Sequence, residues 1–158
     1  MNEAERSNID SKPYKWQPRE QSLGYMINWA ARLFAREMDD ALRPFGLMSG
    51  QLPVFFALAD GKPLAQRDLA QLAAVEQSTM AKTLARMERD GLIQRTPDPN
   101  DRRSAFISLS PLAEERLPDI AAAVAAINAR SHAALAGEDS AHLLELLRRV
   151  INGLTDAA

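Results

Sequence analysis

The chain has 158 residues, of which 46% are hydrophobic, and its 19 lysines and arginines against 21 aspartates and glutamates give a formal charge of −2; that suffices for one compact body and excludes a uniformly basic, indiscriminate nucleic-acid binder. There is no cysteine, which rules out disulfides and thiol-based redox sensing. No apolar run approaches the roughly 18 residues that cross a bilayer, and the polar N-terminal stretch MNEAERSNIDSKPYKWQPRE lacks a secretory apolar core, so a cytoplasmic protein without a membrane partner is expected.

Residues 1–20 are expected to form a flexible leader, with Tyr14 and Trp16 as its groups able to dock on a folded body. Leu23, Ile27, Ala30, Phe34 and Met38 then recur at helical spacing, with Ser22 as N-cap and Pro44 past the end, predicting a helix from Leu23 to Leu42. A second pattern from Ala65 to Ala73 exposes Gln66, Arg67 and Gln71 and turns Leu69 and Leu72 inward. Only Ala74 and Val75 separate it from a third pattern, Glu76 to Asp90. Two short helices joined this tightly suggest helix-turn-helix.

At 100° per residue, Met80, Leu84 and Met87 form one narrow apolar stripe of the third pattern, the core face. Thr79, Lys82, Thr83 and Arg86 gather on a different face, with Arg89 at its flank and no acid among them. Lysine and arginine donate to guanine O6 and N7 or to phosphate, and threonine meets a base or the thymine methyl. Gly91 is suited to the left-handed position past the helix end, with Leu92 packing back on Met87 as a Schellman motif requires.

Beyond Gly91, Leu92–Thr96 and Ala105–Leu109 read as two strands of a hairpin whose loop, Pro97 to Ser104, carries adjacent arginines. Ala105, Ile107 and Leu109 share one side by period-two alternation. Asp101 stands two residues before Arg103, close enough to orient its guanidinium, and a fixed arginine on a projecting loop suits a narrow, electronegative minor groove. Ser110–Pro111 is a cap and first turn for an alanine-rich helix over Leu112–Leu135, which Pro118 should kink or restart. In the last segment, Ser140–Leu154, the leucines with Val150 and Ile151 cover too wide an arc for a helix packed on one neighbour, so a partner subunit is expected to cover the remainder.

Glu76-Gln77-Ser78-Thr79-Met80, the run Leu84 to Ile93 and Asp98-Pro99-Asn100-Asp101-Arg102-Arg103 together resemble the MarR family of winged-helix transcriptional regulators. The resemblance extends to Leu23–Leu42 and Ser140–Leu154, which look like that family's terminal dimerisation helices. It implies a mainly α fold with a small β-hairpin: a winged helix-turn-helix lobe over residues 46–110, flanked by a dimerisation lobe from residues 21–45 plus 111–158. It implies contacts to double-stranded DNA from Gln77, Ser78, Thr79, Lys82, Thr83 and Arg86 in the major groove, and from Asp101, Arg102 and Arg103 on the wing, with the arginine of the Asp101–Arg103 pair in the minor groove. Relatives often carry glycine where this chain has Ala74, a departure at the turn, since alanine tolerates left-handed geometry poorly.

The reading that follows is a homodimeric regulator, a repressor on a pseudo-palindromic operator. The alternative is a winged-helix protein-interaction module or anti-regulator without DNA binding, against which the retention of Lys82, Arg86, Asp101 and Arg103 argues. Between Gln77 and Arg103 six cations face four carboxylates, so the positive charge is local. No catalytic, metal or cofactor site is expected: His132 and His142 lack metal-ligand spacing, and the adjacent Glu114 and Glu115 point in different directions around a helix. The resemblance also implies a small aromatic or amphipathic effector, for which Tyr25, Trp29, Phe34, Phe55 and Phe56 offer aromatic lining, Tyr25, Trp29 and Phe55 foremost. Such a ligand would act by population shift, favouring a dimer whose reading heads are wrongly spaced for successive major grooves.

Overall fold

A computed structural model describes residues 18–99, 104–135 and 138–155. The chain divides into two compact units at Ala35–Arg36, inside a first helix α1 (Leu23–Leu42). In the N-terminal unit a 3-10 turn, Arg19–Gln21, leads to Ser22, whose hydroxyl accepts from the Tyr25 N–H at 3.4 Å. Arg19 sits over the Trp29 ring at 6.0 Å, and Tyr25 meets the same ring edge-on at 5.8 Å. Leu23, Met26, Leu33 and Phe34 are exposed along this part of the helix.

The second unit holds the core. After α1 the chain turns through Arg43–Phe45 and Gly46, at φ +70°, into a 3-10 turn Ser49–Gln51 and helix α2 (Leu52–Leu58) with Pro53 in its first turn. Asp39 secures that passage, its carboxylate accepting from the Ser49 N–H at 2.6 Å. Next come strand β1 (Leu64–Ala65), α3 (Gln66–Leu72), α4 (Gln77–Arg89), β2 (Ile93–Pro97), β3 (Ala105–Leu109), α5 (Pro111–Ala133) and α6 (Asp139–Thr155).

The sheet is antiparallel with order β1-β3-β2. Ile93 pairs with Leu109 and Pro97 with Ala105 in the hairpin, while Leu64 pairs with Ile107 on the other edge. β2 is an edge strand, so the N–H that Pro97 lacks removes no interior ladder bond. Ile93, Ile107 and Leu109 are buried and point into a core that includes Leu42, Phe55, Leu69 and Leu84. The expected hairpin is present, with β1 as a third strand that two residues could not announce by periodicity.

Ser110 is the N-cap of α5, its hydroxyl accepting from the Ala113 N–H at 3.2 Å and donating to the Gly91 carbonyl at 2.6 Å. One side chain therefore ties the long helix to the turn that ends α4. The expectation that Pro118 interrupts this helix is not met as a restart: α5 runs unbroken through it. Pro118 lies in the second turn, where only the bond to the Glu114 carbonyl is forfeited, and the exposure of both residues leaves that carbonyl to water.

Candidate nucleic-acid interface

Helices α3 and α4 meet through Ala73–Glu76. Val75 N–H donates to the Ala70 carbonyl at 3.0 Å and Ala74 N–H to that of Gln71 at 3.1 Å, the paired bonds of a Schellman motif. Ala74 takes the left-handed position at φ +51°, the one non-glycine residue among those described with positive φ. The turn forms in spite of the Cβ, at a cost of about 1 kcal/mol relative to glycine. Leu72 departs from expectation. It is 64% exposed rather than inward, because the chain unwinds immediately after it and leaves Leu69 and Ala70 to face the core.

Glu76, extended at ψ 148°, starts α4. Met80, Leu84 and Met87 are buried, as the stripe predicts. Gln77, Ser78, Thr79, Lys82 and Arg86 are all exposed, and Thr83 is half-buried with its hydroxyl donating to the Thr79 carbonyl at 3.1 Å. Thr83 thus presents its methyl and an oxygen lone pair rather than a free O–H. The helix closes as expected, Gly91 at φ +72° and Leu92 N–H donating to the Met87 carbonyl at 2.8 Å.

Three ion pairs form at this end, two within the helix terminus and one to the wing. Arg89 Nε donates to Asp90 Oδ1 at 3.1 Å, Arg86 Nε lies 3.8 Å from Asp90 Oδ2, and Arg95 Nε donates to Glu88 Oε2 at 2.9 Å. The last joins α4 to β2 and so holds the root of the wing against the helix. Beyond the ladder, the Asp98 N–H donates to the Ser104 carbonyl at 3.1 Å. Asp101, Arg102 and Arg103, the expected wing contacts, lie outside the described residues. A polar cleft of about 570 Å³ opens beside the wing root, lined by Gln66, Arg67, Asp68, Arg95, Asp98 and Phe106 among others.

Of the aromatic residues singled out for a ligand, Phe55 is 2% exposed in the core, so packing, not ligand lining, accounts for it. Trp29 borders a shallow apolar groove of about 270 Å³ with Met26, Ala30 and Leu33 on the N-terminal part of α1. Phe56 is exposed on α2.

An exposed polar helix face, a tight preceding turn and a hairpin braced against the same helix define a winged helix-turn-helix. Residues 45–104 match the MarR family. The HTH-type transcriptional regulator YwoH of Bacillus subtilis is 34% identical over 98 residues, which is 62% of this chain and 71% of YwoH. The HTH-type transcriptional repressor NicR of Pseudomonas putida is 30% identical over 144 residues, covering 91% of this chain and 89% of NicR. A cysteine-substituted MarR from Escherichia coli crystallised with operator DNA superposes with a TM-score of 0.75 at 21% identity, over 81% of this chain and 92% of that one. The chain belongs to the MarR family and is a MarR-type transcriptional regulator.

Proposed function

We propose that this regulator is a homodimeric repressor that reads a pseudo-palindromic operator in double-stranded DNA, with no catalytic role, and works in the cytoplasm. The observation that carries the reading is the division of α4: Met80, Leu84 and Met87 are buried while Thr79, Lys82 and Arg86 are exposed. A helix anchored along one whole side presents the other at fixed orientation, which direct readout in a major groove requires. The operator complex of the structural neighbour supports DNA as the partner, and the repressor relative supports the sign of regulation. Residues 46–110 serve as the reading lobe, and residues 21–45 with 111–158 as the dimerisation lobe, after a leader of residues 1–20.

Pairing is supported by α6, which has no buried residue in the single chain although Leu143, Leu144, Leu146, Ile151 and Leu154 lie along it. Two copies related by a twofold axis would place two α4 helices on half-sites about one helical turn apart. A small aromatic or amphipathic effector that favours another spacing would release the operator, and Trp29 is the exposed aromatic of α1 best placed to meet it. The experiment replaces Lys82 or Arg86 by alanine and titrates operator across salt. Each change is expected to cost about 1–3 kcal/mol where a base is read, or to lower the salt slope by about one where a phosphate is held. Unchanged affinity and salt dependence in both variants would remove this face from the interface.

A further inference from the structure

We infer that Asp90 is a specificity-determining residue: it keeps Arg86 and Arg89 from loose engagement with phosphate while leaving them able to read a base. The inference rests on the DNA-reading function proposed above and adds a residue to it.

Thr79, Thr83, Arg86 and Asp90 follow one another at steps of four, three and four residues, so all four share one side of the helical path. The carboxylate thus terminates the cationic face rather than lying behind it. Its position is costly for the helix by itself. Asp90 N–H donates to the Arg86 carbonyl at 2.9 Å, so the acid stands at the C-terminal end of α4, where the helix dipole disfavours negative charge. Two guanidinium groups offset that cost, Arg89 at 3.1 Å and Arg86 at 3.8 Å. The Asp90 side chain is 32% exposed against 53% for Arg86 and 71% for Arg89, so the acid is less open to solvent than either cation it pairs with.

The atoms engaged decide the consequence. Both arginines approach Asp90 through Nε. Their terminal nitrogens, the fork that matches guanine O6 and N7, make no hydrogen bond among the described residues. A base edge can therefore be read while the pair persists, the carboxylate limiting the rotamers each arginine must give up. A phosphate seeking the full charge must compete with Asp90 and lies within repulsive distance of it. Random-sequence binding depends almost wholly on phosphate contacts, so the carboxylate penalises it more than operator binding. Lys82 has no ion-pair partner among the described residues and is free for general phosphate attraction, whereas Glu88 is occupied by Arg95 at 2.9 Å. Among the described residues, Asp90 divides the cations of this face into one without an ion pair, Lys82, and two that are paired, Arg86 and Arg89.

The test compares two duplexes, one recovered by the wild-type protein from a random-sequence pool and a scrambled version of it. Binding is measured by fluorescence anisotropy between 50 and 200 mM salt, the range over which about one released counterion is resolvable. Asp90→Asn, which keeps the shape and removes the charge, is expected to bind the scrambled duplex about tenfold tighter with a salt slope steeper by about one, and the selected duplex by no more than about threefold. Asp90→Glu should retain the wild-type ratio. With Arg86→Ala and Arg89→Ala present, the effect of Asp90→Asn should shrink to within about twofold, whereas a general charge effect would persist undiminished and overturn the inference. An unchanged ratio in Asp90→Asn, whether both affinities move together or neither moves, overturns it as well. Wild-type protein that does not distinguish the two duplexes would sink the DNA-reading function itself; a discriminating wild type with an unaltered Asp90→Asn ratio sinks only the role of Asp90.

Discussion

Helices α4 and α6 are both amphipathic, yet the fold treats them oppositely. Met80, Leu84 and Met87 on α4 are covered by the same chain, Leu84 and Met87 to 0% exposure, whereas α6 leaves Ile151 at 59% and Leu154 at 73%. The apolar pattern of a helix specifies that something must cover it, not which chain supplies the cover. On α4 the cover is intramolecular, so the polar face is held at a fixed orientation. On α6 the bare face remains available to a second copy.

The sharpest way to break the contrast is to weaken each apolar face in turn. Leu84→Ala should destabilise the folded chain by about 3 kcal/mol, through lost burial and a residual cavity, seen as a lowered urea midpoint at unchanged slope. Ile151→Glu should leave the stability of the single subunit within about 0.5 kcal/mol while weakening self-association at least about tenfold, read by sedimentation velocity at micromolar protein. A dimer of undiminished affinity would mean that this face does not serve pairing.

Two smaller effects concern what supports α4. Ser49 donates its backbone N–H, and secondarily its hydroxyl, to Asp39, which holds that carboxyl below its usual range, and the turn so anchored packs against α4. Asp39→Ala should cost about 1 kcal/mol at neutral pH. Because the folded value is the lower one, this stabilisation is present above the unfolded aspartate value of about 4 and disappears as pH falls through the folded value. Wild type and variant should therefore converge in stability below that pH, by thermal melts across an acid series. Ala74→Gly should stabilise by about 0.5 kcal/mol, relief of the left-handed alanine outweighing the added freedom of the unfolded chain, with a small rise in melting temperature and unaltered DNA binding.

Much of the exposed face of α4 was legible because it depends on local rules. Met80, Leu84 and Met87 declared the inner side of α4 by spacing, which left Thr79, Lys82 and Arg86 outside, and Gly91 and Ser110 declared the caps at either end of the hairpin. Leu72 misled because its place at the helix end, not its period, exposes it. The strand Leu64–Ala65 escaped because two residues carry no alternation, and its pairing with Ile107 and Phe106 joins positions about forty apart in the chain. The helix Leu52–Leu58 lay unmarked within a compact apolar run, although Pro53 in its first turn is a start signal in retrospect.

Sequence by itself determined which faces of which helices are apolar, where the helices around the hairpin stop, and where positive charge is concentrated, since each depends on neighbours within a few residues. Only the tertiary structure decided that Glu88 braces the wing through Arg95 and that Phe55 is core while Phe56 is surface. Those outcomes turn on distances and directions fixed when distant segments pack, and no periodicity along the chain encodes them.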